Sequence, residues 1–123
     1  MPSTIRVLIA DDHRLFAEAL EAILASEPDI EVVGRARNGE EAVEQALALK
    51  PDVILMDIAM PGVDGVEATK RIRRKERDAC VLMLTGSNSR TDVARSREAG
   101  AAAYVTKDRI AAQLIEAIRE LAL

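Results

Sequence analysis

Residues 53–65 read VILMDIAMPGVDG. Four consecutive apolar residues, Val53 to Met56, run straight into a carboxylate, Asp57, and Met60-Pro61-Gly62 then interrupts regular backbone. An unbroken apolar run, as opposed to an alternating one, suits a parallel strand covered on both faces. Such a strand delivers its last residue to the edge of an open sheet, and an acid placed there calls for a chemical reason.

The same shape recurs on either side. Short apolar runs at Ile5–Ala10, Ile30–Arg35, Val53–Asp57, Ala79–Leu84 and Ala102–Thr106 read as strands. They start roughly 25 residues apart, the length of one strand plus one helix. Between them lie stripes at helical spacing: Phe16, Ala19, Leu20, Ile23 and Leu24 in the first helix, and Ile110, Ala111, Leu114, Ile115, Ile118 and Leu121 in the last. Asn38 stands three residues before Glu41, and Asp64 three before Glu67, both close to the capping-box pattern of a helix start. Pro28 and Pro51 follow the first two helices, and Gly100 follows the fourth. That fourth helix, about Arg90 to Ala99, has a thin apolar face of Val93, Ala94 and Ala99, so weak anchorage is expected. Alternating strands and helices predict an α/β fold. We expect a flavodoxin-like (βα)5 open parallel sheet in the order 2-1-3-4-5 with helices on both faces, forming one domain over residues 1–123.

Size and composition agree. A 123-residue chain buries roughly two thirds of its unfolded surface and needs no staples. Aromatics are only 2 % of the residues, so the core must be aliphatic. Cys80 is the single cysteine, which excludes an internal disulfide and suggests a small buried apolar residue. A net charge of −4 argues against a surface wholly devoted to nucleic acid. No segment approaches the roughly 18 apolar residues of a membrane span, and the first apolar run is too short for a signal peptide. A cytoplasmic setting is the expectation.

In the expected order the switch point, where open parallel sheets bind ligands, lies between strands one and three. Strand one ends in Asp11-Asp12, strand three in Asp57 and strand four in Thr85, while strand five leads to Lys107. With strands about 4.8 Å apart, these side chains converge. Clustered carboxylates raise one another's pKa, and a hard divalent cation resolves the conflict: Mg2+ takes one or two carboxylates and keeps water or phosphate oxygens. No His or Cys cluster accompanies them, which disfavours zinc. A carboxylate flanked by a metal, a lysine and a hydroxyl suits an aspartyl phosphate. The bland alternative is that Asp11 or Asp12 only caps the following helix.

These residues resemble the receiver domain of bacterial two-component response regulators. The likeness covers nearly the whole chain and rests on LIADD at 8–12, VILMDIAMPGVDG at 53–65, VLMLTG at 81–86 and AYVTKD at 103–108. IADDH and YVTKD look most like the NarL/FixJ-type branch. The resemblance implies that Asp57 accepts a phosphoryl group from a phosphohistidine on a sensor histidine kinase. It implies Mg2+, with Mn2+ as a substitute, held by Asp12, Asp57 and the backbone carbonyl of Ala59, with Asp11 helping directly or through water. Lys107, Thr85 and the N–H of Gly86 would bind phosphoryl oxygens, and Tyr104 would turn inward as Thr85 moves. Transcriptional output would run through a helix-turn-helix DNA-binding domain beyond Leu123. The alternatives are a stand-alone receiver acting by protein contact and a receiver-like module that is never phosphorylated; a second copy of the chain, as a homodimer, is a further expected partner. Asp108 stands where the family often has a proline joined by a cis bond. Ala59 and Ser87, two past the acceptor and two past Thr85, would lie over the phosphate. With no acid or amide at 59 to orient water, modest self-dephosphorylation is expected.

Rival chemistries find less support. Aspartyl phosphatases of the haloacid dehalogenase type need a second acid two residues after the first, where this chain has Ala59. No P-loop and no G-x-G-x-x-G occurs, so no nucleotide site is signalled and no turnover enzyme is expected. KRIRRKER at 70–77 reads as helix-surface charge, with a kinase-docking or nucleic-acid patch as the alternative, the latter unsupported by any interleaved aromatic. His13, the only histidine, reads as a helix-start residue near the site, with a modulating role there as the alternative.

Overall fold

The computed structural model describes residues 4–86 and 89–123. Five strands alternate with five helices: β1 (Ile5–Ala10), α1 (Arg14–Ala25), β2 (Ile30–Ala36), α2 (Gly39–Leu49), β3 (Val53–Asp57), α3 (Gly65–Lys75), β4 (Val81–Thr85), α4 (Arg90–Ala99), β5 (Ala103–Thr106) and α5 (Ile110–Leu121). A 3-10 turn, Lys107–Arg109, joins β5 to α5. All pairings are parallel, in the order β2-β1-β3-β4-β5, which is the expected flavodoxin-like arrangement.

The unbroken apolar runs are explained by two cores, one on each face. Leu8, Ile54, Met56, Val81 and Met83 pack with Ala42, Ala46, Val66, Ala68 and Ile72 of α2 and α3. Val7, Ile9, Leu55, Leu82 and Leu84 pack with Leu20, Leu24, Leu114 and Ile118 of α1 and α5. Every residue of β3 and β4 is buried. Burying one such side chain contributes about 1.5–3 kcal/mol.

Helix boundaries follow local chemistry. Asn38 Oδ1 accepts from the N–H of Glu41 at 2.9 Å, and Asp64 Oδ1 from that of Glu67 at 2.9 Å. Glu41 closes its half of the cap one residue early, accepting from the N–H of Arg37. α2 ends on Lys50 at φ 48°, a left-handed residue before Pro51, with the Arg6 guanidinium donating to the carbonyls of Leu49 and Lys50. α4 ends on left-handed Gly100, φ 101°.

Several details differ from expectation: β2 runs on to Ala36 and β5 starts one residue later, at Ala103. β4 begins at Val81, not Ala79, because the Ala79 N–H is used in a turn to Glu76 O. In α1 the buried small residue is Ala17, while Ala19 and, in α5, Ala111 are exposed. In α4 Ala94 is exposed and the inward face is Ser96 and Ala99, with Val93 half-buried, so this helix is anchored by even less apolar area than its sequence suggested. Cys80 is half-buried, and burial pushes its thiol pKa up. Among the described residues no helix is long and apolar enough to cross a membrane, and no peptide bond is cis.

Candidate functional site

Strand register brings the acids together. Ala10, the last residue of β1, sits opposite Met56, so Asp11 and Asp57 step off neighbouring strands at the same level. Asp57 sits opposite Leu84, and Thr85 opposite Thr106, which places Thr85 and Lys107 one strand and two strands further along the same edge. Two glycines let the backbone close around this edge. A Cβ on Gly65 would lie 2.2 Å from the carbonyl oxygen of Asp57, and one on Gly39 would lie 2.0 Å from that of Val63. The Gly65 N–H donates to Ile58 O at 3.0 Å, pinning the loop after β3.

The cluster itself is tight. One oxygen from each of Asp11, Asp12 and Asp57, together with a ring nitrogen of His13, lie within 4.8 Å of one another. Asp11 and Asp57 are buried, and Asp12 is exposed at the mouth. Lys107 Nζ lies 3.5 Å from Asp57 Oδ1 and 3.6 Å from Asp11 Oδ2, and 4.4 Å from the centre of the Phe16 ring. The N–H of Ala59 donates to Asp57 Oδ1 at 3.3 Å. Asp57 Oδ2 and Asp11 Oδ2 are fully buried and have no hydrogen-bond partner among the described residues. Leaving a buried acceptor unsatisfied costs about 1–3 kcal/mol, more when it is charged.

Burial first, and the Asp11 carboxylate second, push the Asp57 carboxyl from its ordinary 3.8 up to about 6, against the pull of Lys107 and the Ala59 N–H. The carboxylate is thus ionised at neutral pH but poorly neutralised. The capping alternative holds only in part for the acid pair. Asp11 Oδ1 accepts from the N–H of His13 at 2.7 Å, ordering the entry to α1, while the N-cap position itself belongs to His13.

A protein-family profile described as "Response regulator receiver domain" matches residues 7–119. The chain belongs to this family. The receiver is 47 % identical over 115 residues to the transcriptional regulatory protein LiaR of Bacillus subtilis, covering 94 % of this chain and 54 % of that protein. It is 41 % identical over 117 residues to the response regulator protein VraR of Staphylococcus aureus, covering 95 % and 56 %. It spans about half the length of these curated relatives. Among solved structures it superposes on the signal receiver domain of the response regulator NarL from Mycobacterium tuberculosis with TM-score 0.93 and 33 % identity, covering 98 % of both chains.

The other residues of the receiver's site are placed as follows. Thr85 is buried, and Gly86 is exposed with open space where a Cβ would stand. Ala59 is exposed beside Asp57, in a groove that also includes Asp12, Met60, Asp64, Asp92 and Arg95. Tyr104 is 40 % exposed and borders a second groove with Gly86, Thr106, Asp108 and Arg109. Ser87 lies outside the described residues. Two features were missed by sequence reasoning. His13 joins the acid cluster itself, for which its adjacency in IADDH was the available signal. Arg95 of α4 pairs with the α3 cap Asp64 at 3.1 Å, and no local sequence pattern marks that contact.

Proposed function

We propose that the receiver accepts a phosphoryl group on Asp57 from the phosphohistidine of a sensor histidine kinase, in a reaction that needs Mg2+. The observation that carries this reading is the buried, unpartnered Asp57 Oδ2 facing a group of oxygens with no hydrogen bond to satisfy it. The donor set fits a hard cation: Asp11, Asp12 and Asp57 would hold it, with the carbonyl of Ala59. Bound there, Mg2+ would neutralise the phosphoryl oxygens during transfer. An Asp57 carboxylate oxygen forms the bond to phosphorus as the phosphorus–nitrogen bond to the kinase imidazole breaks, and the imidazole leaves with the bonding pair. Lys107 neutralises charge from the opposite side, while Thr85 and the Gly86 N–H bind phosphoryl oxygens. The chain acts as a phosphoacceptor that assists its own phosphorylation, not as a turnover enzyme. One structural neighbour, a CheX–CheY–BeF3–Mg2+ complex from Borrelia burgdorferi at 25 % identity, contains Mg2+ and a beryllium fluoride species, which supports the same reading here.

Phosphorylation would bias the α4-β5-α5 face. α4 is the least anchored helix, and Tyr104 stands outward on β5 beside the Thr85 strand, free to turn in. Moving a two-state balance from 1:99 to 99:1 takes about 5.5 kcal/mol, within reach of several charge-assisted hydrogen bonds. Because LiaR and VraR are about twice as long and LiaR is named as transcriptional, we assign the output to transcription through a C-terminal DNA-binding domain, with homodimerisation as a route to it. Incubation with Mg2+ and acetyl phosphate followed by intact mass measurement tests the acceptor. The wild type is expected to gain one phosphoryl group and Asp57→Asn none; equal labelling of both would refute the assignment.

A further inference from the structure

Resting on the metal site proposed above, we infer that His13 is a ligand in it, and that the site takes an imidazole-seeking divalent transition metal, of which Zn2+ is the representative, more tightly than Mg2+. His13 Nδ1 lies 3.2 Å from Asp11 Oδ1, 3.2 Å from Asp12 Oδ1 and 3.7 Å from Asp57 Oδ2. Two ligands each about 2.1 Å from one ion stand about 3.0 Å apart at right angles and about 4.2 Å apart when opposed. All three separations fall in that interval, so the ring nitrogen stands from each of the three oxygens at the spacing of two ligands on one ion.

A second observation is independent of the clustering. Asp57 Oδ2, one of the three oxygens that face Nδ1, is buried and lacks a hydrogen-bond partner among the described residues. The oxygens are also divided between two side chains. Lys107 stands against Asp57 Oδ1 and Asp11 Oδ2, while His13 stands against Asp57 Oδ2, Asp11 Oδ1 and Asp12 Oδ1. The lysine therefore leaves the His13 side of the cluster open to an ion.

The entry to α1 fixes the backbone of His13, and its Nδ1 stands within hydrogen-bond distance of Asp11 Oδ1 at 3.2 Å. His13 is the N-cap of α1, and its N–H is held by Asp11 Oδ1 at 2.7 Å. Coordination through Nδ1 leaves the ring proton on Nε2, and the side chain is 64 % exposed, so that proton can be solvated. Nitrogen ligation discriminates between metals: imidazole suits zinc and its neighbours, whereas Mg2+ prefers oxygen throughout. Mg2+ would therefore use the carboxylates alone, and Zn2+ the carboxylates plus His13.

The test uses the Cys80→Ser chain, which removes the one thiol that could compete for zinc. Calorimetric titrations with ZnCl2 and with MgCl2 are compared before and after His13→Ala. We expect Zn2+ to bind at least tenfold tighter than Mg2+, and His13→Ala to lose at least tenfold in Zn2+ affinity while Mg2+ affinity stays within about threefold. Retained Mg2+ binding also shows that the variant is folded. Nitrogen-15 NMR of the single histidine gives a second readout without mutation: saturating Zn2+ shifts the Nδ1 resonance as coordination does, and Mg2+ does not. An unmoved resonance, an unchanged Zn2+ affinity in the variant, or equal losses for both metals would overturn the inference. Failure of Mg2+ to bind the parent chain would instead count against the proposed function.

Discussion

At Asp57, burial and ionisation oppose each other. The folded carboxyl has a pKa of about 6 against an ordinary 3.8. The folded state therefore holds the proton more tightly than the unfolded chain, and ionising the group costs stability. That cost is absent below about pH 4, grows between about pH 4 and 6, and is complete above; at about 1.4 kcal/mol per unit it reaches about 3 kcal/mol. We predict that Asp57→Asn stabilises the metal-free receiver at pH 8 by about 1–3 kcal/mol in urea unfolding, and that the gain disappears near pH 4. A gain independent of pH would mean that the carboxylate is not under this stress. The acid positions were legible from sequence because each ends a strand. The involvement of His13 had only its adjacency to Asp11-Asp12 as a signal, because its placement depends on the turn that Asp11 imposes on the entry to α1. A side-chain-to-backbone bond of that kind leaves no periodic trace.

At the scale of elements, the loop from β3 to α3 is held by close packing, not by sequence-local preference. Gly65 presses on the Asp57 carbonyl, whereas Gly62, at φ 73°, has open space where a Cβ would stand. Gly65→Ala must push strand and helix apart at the acceptor, so a loss of about 3 kcal/mol is expected. Gly62→Ala meets only the conformational penalty of a left-handed residue, about 1 kcal/mol. Paired thermal unfolding measurements check this, and equal losses would contradict it. α4 is the other informative element. Its buried residues are Ser96 and Ala99, against five in α3, so its amides should exchange with deuterium faster than those of α3 and α5. Protection equal to that of α3 would remove α4 as the mobile part of the switch. The thin apolar face was visible in the sequence. The Arg95–Asp64 pair that ties α4 to α3 was not, because it joins residues with no shared local pattern.

For the whole molecule, sheet order and the placement of the site followed from the sequence because both rest on long-range regularities. Val53–Met56 is apolar throughout since it is covered on two faces, and right-handed crossovers then limit the topology. Finer features escaped where a tertiary contact overrides local preference: Ala79 leaves β4 for a turn, and Ala17 replaces Ala19 on the inner face of α1. The central claim concerns the edge where these regularities meet, namely that a divalent metal held by the Asp11, Asp12 and Asp57 cluster makes residue 57 the phosphoacceptor. The most direct test is acetyl phosphate labelling in Mg2+ and in EDTA, with the modified residue located by peptide mass spectrometry. The account predicts phosphate on Asp57 in Mg2+ and at least tenfold less in EDTA; equal labelling without metal, or phosphate on another residue, would contradict it.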